Sequence, residues 1–230
     1  MRRLLLPGPP EVHLTLRRSA RARRFSLRVS RVDGQVTLTL PTSAPEVDAM
    51  AFARSKGAWV SAALARLAPP ATIGFGAVLP IEGRMLALTA GTVRAPRIEG
   101  EALLLPPCAA RLGTRLATYL RFVARDRLQA ACARHSAALG RPFARITLRD
   151  TRSRWGSCAP DGSLMFSWRL ILAPPEVLDY VAAHEVAHLA EMNHSPAFWA
   201  VVARLCPGYA APRAWLKRHG QGLHAYRFND

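Results

Sequence analysis

The sequence predicts an α+β fold, because strand-like alternation and helical periodicity occupy separate stretches of the chain. Apolar and polar side chains alternate over residues 25–29 and 36–40. Residues 109–139 instead show a helical pattern with an apolar side and a basic side. The chain has 230 residues and a 50% hydrophobic composition, which is enough for one large domain or two small ones.

Residues 25–40 predict a β-hairpin with one buried face. Asp33 and Gly34 form its expected two-residue turn, in which the glycine tolerates positive φ. Pro41 ends the second strand, and residues 42–45 supply cap and first-turn chemistry for one helix that runs to about residue 67. The buried residues that we expect in this helix are Val47, Met50, Trp59, Val60, Leu64 and Leu67.

Short apolar runs between residues 73 and 105 predict two or three small antiparallel strands. Pro106 and Pro107 then mark the best candidate for a domain boundary. We therefore expect an N-terminal β-rich region with one long helix over residues 1–107 and a second region over residues 108–230. A sheet that continues across the two prolines would make them one domain.

Residues 145–172 predict a second β-hairpin. Ile146 and Leu148 alternate with polar residues, and the turn at residues 160–162 precedes a strongly apolar strand over residues 164–172. Pro174 and Pro175 then begin a helix, and two short helices are expected over residues 196–206 and 212–218.

The charge balance is strongly basic. The chain has 32 basic and 15 acidic residues, a formal net charge of +17, and all but two of the basic residues are arginines. Such a field attracts polyanions and can support nucleic-acid binding. The alternative is a general arginine bias spread over solvated faces.

Cysteine spacing and hydropathy indicate the cellular compartment. The four cysteines are widely spaced and form no CxxC pair, and the N-terminus has no secretory-type apolar segment. We therefore expect free thiols and a reducing, cytoplasmic compartment. No segment approaches the roughly 18 consecutive apolar residues that a membrane span needs, so no membrane partner is expected.

Residues 181–199 contain a tight cluster of metal-competent side chains. His184 and His188 are four residues apart, which places both imidazoles on one face of a helix, with Glu185 about 100° further round the axis. Asn193 is a candidate left-handed helix stop, and residues 195 and 196, a serine and a proline, can cap and begin a new helix. This reversal would bring His194 back to the first two histidines.

Three neutral imidazoles suit a zinc site with an open fourth position, where a bound water becomes acidic. Glu185 can then accept the proton of that water, which is a way to hydrolyse carbonyl compounds, peptides above all. A second donor for the oxyanion is also needed. Spacing does not choose among the candidates Tyr180, Arg154 and Arg169.

Glu191 and Cys158 each allow two interpretations. Glu191 either orients a histidine ligand or is solvated, and Cys158 is either a small buried residue or a ligand. The remaining histidines have no partner in the sequence and are expected on the surface: His13, His135, His219 and His224.

The segments TRSRWGSC (residues 151–158) and LMFSWRLILAPPEVLDYVAAHEVAHLAEMNHSPAFW (residues 164–199) resemble the YgjP-like metallopeptidases, relatives of the SprT and WLM zincin-type proteins. The resemblance is close over residues 145–217 and looser before them. It implies a zincin-like α+β catalytic unit with an HExxH helix, preceded by a hairpin, a helix and small strands. One departure is Ser167, where the family more often has asparagine.

The resemblance also implies a zinc-dependent peptidase that acts on a peptide or protein. Glu185 would be the general base, and one Zn²⁺ per chain would have three ligands: His184, His188 and His194. The substrate-binding candidates beside the cleft are Arg154, Trp155 and Ser157.

Two other functions remain open. One is hydrolysis of a nucleoside triphosphate, motivated by the arginines and by a label that some family members carry; against it, the chain has no glycine-rich phosphate loop or carboxylate pattern for magnesium. The other is a nucleic-acid-binding module with a structural zinc, for which Cys158 could supply a fourth ligand.

Overall fold

The computed structural model describes residues 2–6, 11–30, 34–65, 71–108 and 110–228. The chain forms two units, Met1–Pro70 and Ala71–Asp230, and each unit has its own cluster of buried apolar side chains. Within the described ranges, no helix has the length and apolar character needed to cross a membrane. The described residues form small sheets and six α-helices, which confirms the predicted α+β class.

The first unit contains a four-stranded sheet in the order β1-β2-β4-β3. Its strands are β1 (Arg2–Leu6), β2 (Val12–Ser19), β3 (Ser26–Val29) and β4 (Val36–Pro41). The antiparallel pair β3 and β4 confirms the predicted hairpin, and β4 alternates between buried and half-buried residues as expected. Strand β2 pairs with β4 in parallel, a neighbour that the hairpin pattern did not reveal.

The hairpin turn is longer than predicted. The Ser30 amide donates to the Gln35 carbonyl (2.9 Å), so four residues rather than two lie between the paired ends. Gly34 does have positive φ (69°), as expected, whereas Asp33 lies outside the described residues.

The predicted single helix after this sheet is two helices, α1 (Glu46–Ser55) and α2 (Gly57–Ala65). Lys56 at the break has non-helical angles (φ −103°, ψ 8°). The helical backbone is interrupted at this residue, so one helical period across both parts does not predict which residues are buried. Val47 and Trp59, expected to be buried, are 77% and 50% exposed. Of the other expected core residues, Val60 is buried, Met50 and Leu64 are half-buried, and Leu67 lies outside the described residues.

The second unit begins with the short strand β5 (Ala71–Thr72) and a four-stranded sheet in the order β6-β7-β9-β8. This sheet consists of β6 (Val78–Ile81), β7 (Arg84–Ala90), β8 (Arg97–Glu99) and β9 (Ala102–Leu105). Strands β7 and β9 pair in parallel, so the prediction of antiparallel strands alone was wrong. Glu82 and Gly83, both at positive φ, form the tight turn between β6 and β7.

Helix α3 (Leu112–Leu139) confirms the predicted amphipathic helix; Ala109 lies outside the described residues. Its apolar side packs into the same buried cluster as the preceding sheet, since Leu79, Leu103 and Leu120 belong to one core. The division between the two units therefore falls at Pro70. The division between residues 107 and 108 stays a prediction about domain organisation.

A three-stranded sheet follows α3, and its order differs from the predicted hairpin. Its strands are β10 (Arg145–Arg149), β11 (Gly156–Cys158) and β12 (Ser163–Ser167), in the order β10-β12-β11. Strand β10 pairs with β12 in parallel, and the antiparallel hairpin is β11 with β12. Residues 150–155 carry the chain past the end of β12 to its other edge. The expected strand over residues 164–172 ends at Ser167, and Trp168–Leu172 is a buried 3₁₀ helix.

Three helices and a short strand complete the unit: α4 (Pro175–Ala187), α5 (Pro196–Leu205), α6 (Ala210–His219) and β13 (Tyr226–Arg227). They confirm the three predicted C-terminal helices. Strand β13 pairs in parallel with β5, so the last residues of the unit return to its first.

Candidate metal centre

Helix α4 carries the first two histidines through the core. It starts where the sequence predicts, with Pro174 as N-cap and Pro175 at the first helical position. Nine of its thirteen residues are buried. Three are alanines, Ala182, Ala183 and Ala187, all fully buried, and small side chains let neighbouring elements approach closely. The helix is therefore fixed on nearly every side.

The chain reverses after α4 by a different route from the predicted one. The helix ends at Ala187 with His188 as C-cap, and Asn193 is not among the residues with positive φ. Its side chain acts instead: Asn193 Oδ1 accepts a hydrogen bond from the Ser195 amide (3.1 Å). Ser195 Oγ caps α5, as expected, by accepting from the Phe198 amide (3.2 Å).

This reversal brings the three histidines together. One ring nitrogen from each of His184, His188 and His194 lies within 4.8 Å of the others, and the Nε2 atoms of His184 and His194 are 3.0 Å apart. Among the described residues, these three form the one group of histidine, cysteine or acidic side chains arranged to hold a metal ion. Cys158 is not part of it.

Phe198 packs beneath the cluster. Its ring is fully buried, and its centroid lies 4.9, 4.5 and 4.7 Å from those of His184, His188 and His194. Trp199 adds an edge contact to His184 at 5.8 Å. The first turn of α5 therefore supports all three imidazoles from one side.

His184 and His188 are held neutral, and a hydrogen bond orients His188. Burial lowers the pKa of His184 to about 4, with further lowering from the other two histidines, and burial also lowers the pKa of His188. His188 Nδ1 donates to the Glu191 carbonyl (2.9 Å). Its Nε2 therefore keeps a lone pair for a metal. Glu191 was considered as an orienting residue, and it orients His188 through its backbone rather than its carboxylate.

Glu185 is 5% exposed. Burial raises the pKa of its carboxyl to about 8, and the charge of Arg154 opposes this shift. Gly156 of β11 lies directly against it: a Cβ at position 156 would be 2.5 Å from Glu185 Oε1 and 2.6 Å from its Cγ. The family resemblance places the segment of Gly156 beside the cleft, but the contact with Glu185 was not predicted, since no local pattern reports a contact across 29 residues.

A cleft of about 320 Å³ opens onto this site. Two of the three predicted substrate-binding residues line it, Arg154 and Ser157. Its other lining residues are Gly156, Cys158, Glu185, His188, Met192 and His194. Cys158 is half-buried, and burial raises the pKa of its thiol to about 11, so it is a thiol at neutral pH.

Trp155 lies behind the cleft rather than in its wall. Its ring stacks on His224 (centroids 5.1 Å apart) and its carbonyl accepts from the Ser167 amide (2.8 Å). A Cβ at Gly220 would lie 3.1 Å from the indole. Trp155 therefore anchors the segment that leads into β11. The Ser167 hydroxyl, at the position of the family departure, is buried without a hydrogen-bond partner among the described residues.

Arg169, considered as an oxyanion donor, has a different place. Its guanidinium donates to both carboxylate oxygens of Asp150 (2.6 and 3.1 Å) and to the carbonyls of Leu223 and Tyr226 (3.1 and 3.0 Å). It ties the end of β10 to the C-terminal segment. Tyr180 does lie near the site, with its ring 5.9 Å from that of His184, and burial raises its pKa to about 12.

Two histidines expected on the surface are buried. His224 is 5% exposed against Trp155, and His135 is 7% exposed with its Nε2 donating to Asp179 Oδ1 (3.0 Å). Both contacts join residues far apart in sequence, which single-sequence spacing does not report. His13 and His219 are exposed, as predicted.

Comparison with protein-family models identifies the family of the chain. A family model described as a YgjP-like metallopeptidase domain matches residues 23–219, and the chain therefore belongs to the YgjP-like metallopeptidase family. A solved structure, the metallopeptidase zymogen of Pyrococcus abyssi abylysin, aligns at 20% identity with a TM-score of 0.36, covering 39% of this chain and 93% of that one. A search of curated proteins gives no match. The family implies peptide or protein substrates.

The donor set fits a metal ion. Three neutral imidazoles suit zinc, copper or iron better than magnesium or calcium, which prefer oxygen ligands. His184 Nδ1 is buried without a hydrogen-bond partner among the described residues, whereas its Nε2 faces His194. The converging Nε2 atoms are therefore the ones available to a metal.

Proposed function

We propose that the protein is a zinc-dependent peptidase with one zinc ion per chain on His184, His188 and His194. The observation that carries the proposal is the convergence of three imidazoles within 4.8 Å beside a buried glutamate and an open cleft. Three histidine ligands with a free fourth position are typical of catalytic rather than structural zinc.

Glu185 acts as the general base. When bound, the metal supplies Lewis-acid polarisation of the scissile carbonyl and acidifies a water molecule. In its ionised form, Glu185 accepts the proton of the attacking water and delivers it to the amine that leaves when the C–N bond breaks. Its burial keeps bulk water from competing for that proton. Tyr180, whose ring lies 5.9 Å from that of His184, is the candidate for stabilising the oxyanion.

Strand β11 positions the substrate. It is an edge strand of its sheet, and the absence of a side chain at Gly156 leaves its backbone close to Glu185. An extended peptide can add to such an edge by main-chain hydrogen bonds. The scissile bond would then lie beside the glutamate and the three histidines.

Metal analysis and hydrolysis of a peptide library, with the Glu185→Gln variant, test the proposal. We expect the variant to keep one zinc per chain and to lose about 10²- to 10⁴-fold in turnover, the range of general base catalysis. Glu191→Gln is the matched control, because Glu191 orients His188 through its carbonyl. Undiminished hydrolysis in Glu185→Gln would exclude this mechanism.

The same experiment separates the other two functions. Hydrolysis of nucleoside triphosphates without peptide cleavage would favour the nucleotide alternative, and salt-dependent nucleic-acid binding without any hydrolysis would favour a structural zinc. The absence of Cys158 from the histidine cluster supports the catalytic assignment. A reducing, cytoplasmic compartment is part of this proposal, supported by four free cysteines.

A further inference from the structure

We propose that Arg154 binds a carboxylate of the peptide substrate, so that cleavage occurs beside an acidic residue or a chain terminus. The proposal rests on the peptidase function above and defines its substrate class.

The first observation is the position of Arg154. It belongs to the connection between β10 and β11, its side chain is exposed, and it lines the cleft with Glu185, His188 and His194. Its backbone is anchored, because its carbonyl accepts from Thr151 Oγ1 (2.9 Å) and the next residue, Trp155, stacks on His224. Arg154 therefore presents an exposed side chain at the cleft from an anchored backbone.

The second observation is that the Arg154 charge has no carboxylate bound to it. Within the described part of the chain, its guanidinium makes no hydrogen bond or ion pair, and its charge acts on buried Glu185 at a distance. Three other arginines of this unit, Arg127, Arg134 and Arg169, each bind a carboxylate. A guanidinium pairs with a carboxylate through two parallel hydrogen bonds, and Arg154 retains that capacity.

The third observation is the charge around the cleft. Glu185 is the sole carboxylate among the described residues that line it. A second guanidinium, Arg213, lies 4.3 Å from the ring of Trp199, which itself contacts the ring of His184. A metal ion would add further positive charge. The cleft therefore favours a negatively charged group near the scissile bond over a positive one.

Two sources can provide that carboxylate: an aspartate or glutamate side chain, or the C-terminus of the peptide. The test uses one peptide sequence with Glu, Gln or Lys at each of three positions on either side of the cleavage site. One set is acetylated and amidated, and the other has a free C-terminal carboxylate. Both sets are assayed with wild type, Arg154→Glu, Arg154→Gln and Arg149→Glu. Arg149 is exposed at the opposite edge of the same sheet and does not line the cleft.

For wild type we expect kcat/KM at one position to be at least tenfold higher with Glu than with Lys. Arg154→Glu should reverse this ratio, Arg154→Gln should bring it near one, and Arg149→Glu should leave it unchanged. Dependence on the free C-terminus alone would identify the terminal carboxylate as the ligand. Zinc content and thermal melting check that the variants are folded. If Arg154→Glu destabilises the protein, the ratio measured with Arg154→Gln still tests the proposal.

Equal cleavage of Glu and Lys peptides by wild type would overturn the role of Arg154 while leaving the peptidase function in place. The same conclusion follows if Arg149→Glu changes the ratio as much as Arg154→Glu does. Failure to cleave any peptide, with zinc bound, would instead overturn the proposed function.

Discussion

Gly156 shows how one absent side chain shapes the site. Glu185 is buried and cannot easily move away from an atom added at position 156, which would lie 2.5 Å from its Oε1. The backbone of β11 can approach the carboxylate only because residue 156 has no Cβ.

We predict that Gly156→Ala lowers kcat/KM about 100-fold or more, since displacement of a catalytic group by about an ångström costs that much. Zinc content should stay at one per chain, because the substitution is aimed at Glu185 and not at the histidines. Gly74→Ala is the control, because a Cβ there has no atom within 4 Å. Full activity in Gly156→Ala would show that the carboxylate can relocate without loss.

His224 predicts a pH dependence of stability. Burial lowers its pKa to about 4, with Arg169 and Arg152 lowering it further and Asp150 opposing them. Between this value and the ordinary pKa of about 6.5, the unfolded state binds a proton that the folded state does not. Stability is therefore highest above about pH 6.5 and falls as the pH drops towards 4.

We expect wild type to lose up to about 3 kcal/mol more free energy of unfolding than His224→Phe between pH 6.5 and 4. Phenylalanine keeps an aromatic ring against Trp155. Both proteins retain His184 and His188, so the difference reports position 224 alone. Urea unfolding at a series of pH values measures it, and parallel curves for the two proteins would contradict this prediction.

The sequence predicted those site residues that interact with residues close to them in the sequence. The four-residue spacing of His184 and His188 and the serine cap before Phe198 act within one or two helical turns, so the histidine cluster could be predicted. Gly156 and Arg169 act on residues distant in sequence. Their roles depend on which elements meet, and one sequence does not contain that information.

Arg169 connects the end of strand β10 to the C-terminal segment. Its guanidinium binds Asp150 and two carbonyls of the C-terminal segment from a side chain that is 10% exposed. We predict that Arg169→Met lowers the free energy of unfolding by about 3 kcal/mol, because buried partners are left without hydrogen bonds.

The control for this prediction is Arg97→Met. Arg97 and Glu99 form an ion pair with exposed side chains (64% and 51%), and such surface pairs contribute about 1 kcal/mol or less. Hydrogen exchange adds a local measurement, since residues 220–227 should exchange faster in Arg169→Met. Equal losses of unfolding free energy in the two variants would contradict the prediction that the buried Arg169 pair contributes more to stability than the exposed Arg97 pair.

At the level of elements, alternation predicted the β3–β4 hairpin and strand β10 but not how strands pair, and strands β1 and β2 were not predicted. Alternation reports which face of a strand is buried, and both parallel and antiparallel neighbours satisfy it. The parallel pairs β2–β4, β7–β9 and β10–β12 were therefore missed. The break between α1 and α2 was missed for a related reason, because apolar residues at helical spacing continue across Lys56.

At the level of the whole molecule, the candidate site and its supporting core lie in the second unit. Its cluster includes residues of the β6–β9 sheet, α3 and α4. We predict that a fragment of residues 71–230 folds cooperatively and binds one zinc. A fragment of residues 108–230 should not, because it lacks Leu79 and Leu103, which share one buried cluster with Leu116 and Leu120 of α3.

Thermal melting by circular dichroism and zinc content distinguish these fragments. Cooperative melting of the 108–230 fragment would support the division expected between residues 107 and 108. Failure of the 71–230 fragment to fold would mean that the second unit needs the first.

The reversal between α4 and α5 has a consequence in polymer terms. A metal held by His184 and His194 is a cross-link that closes a very short loop, and the entropy of closing a loop grows with its length. Here Asn193, Ser195 and Phe198 already close that loop through hydrogen bonds and packing. Little chain entropy is then left for the metal to remove, so its binding free energy goes into coordination rather than into ordering the chain.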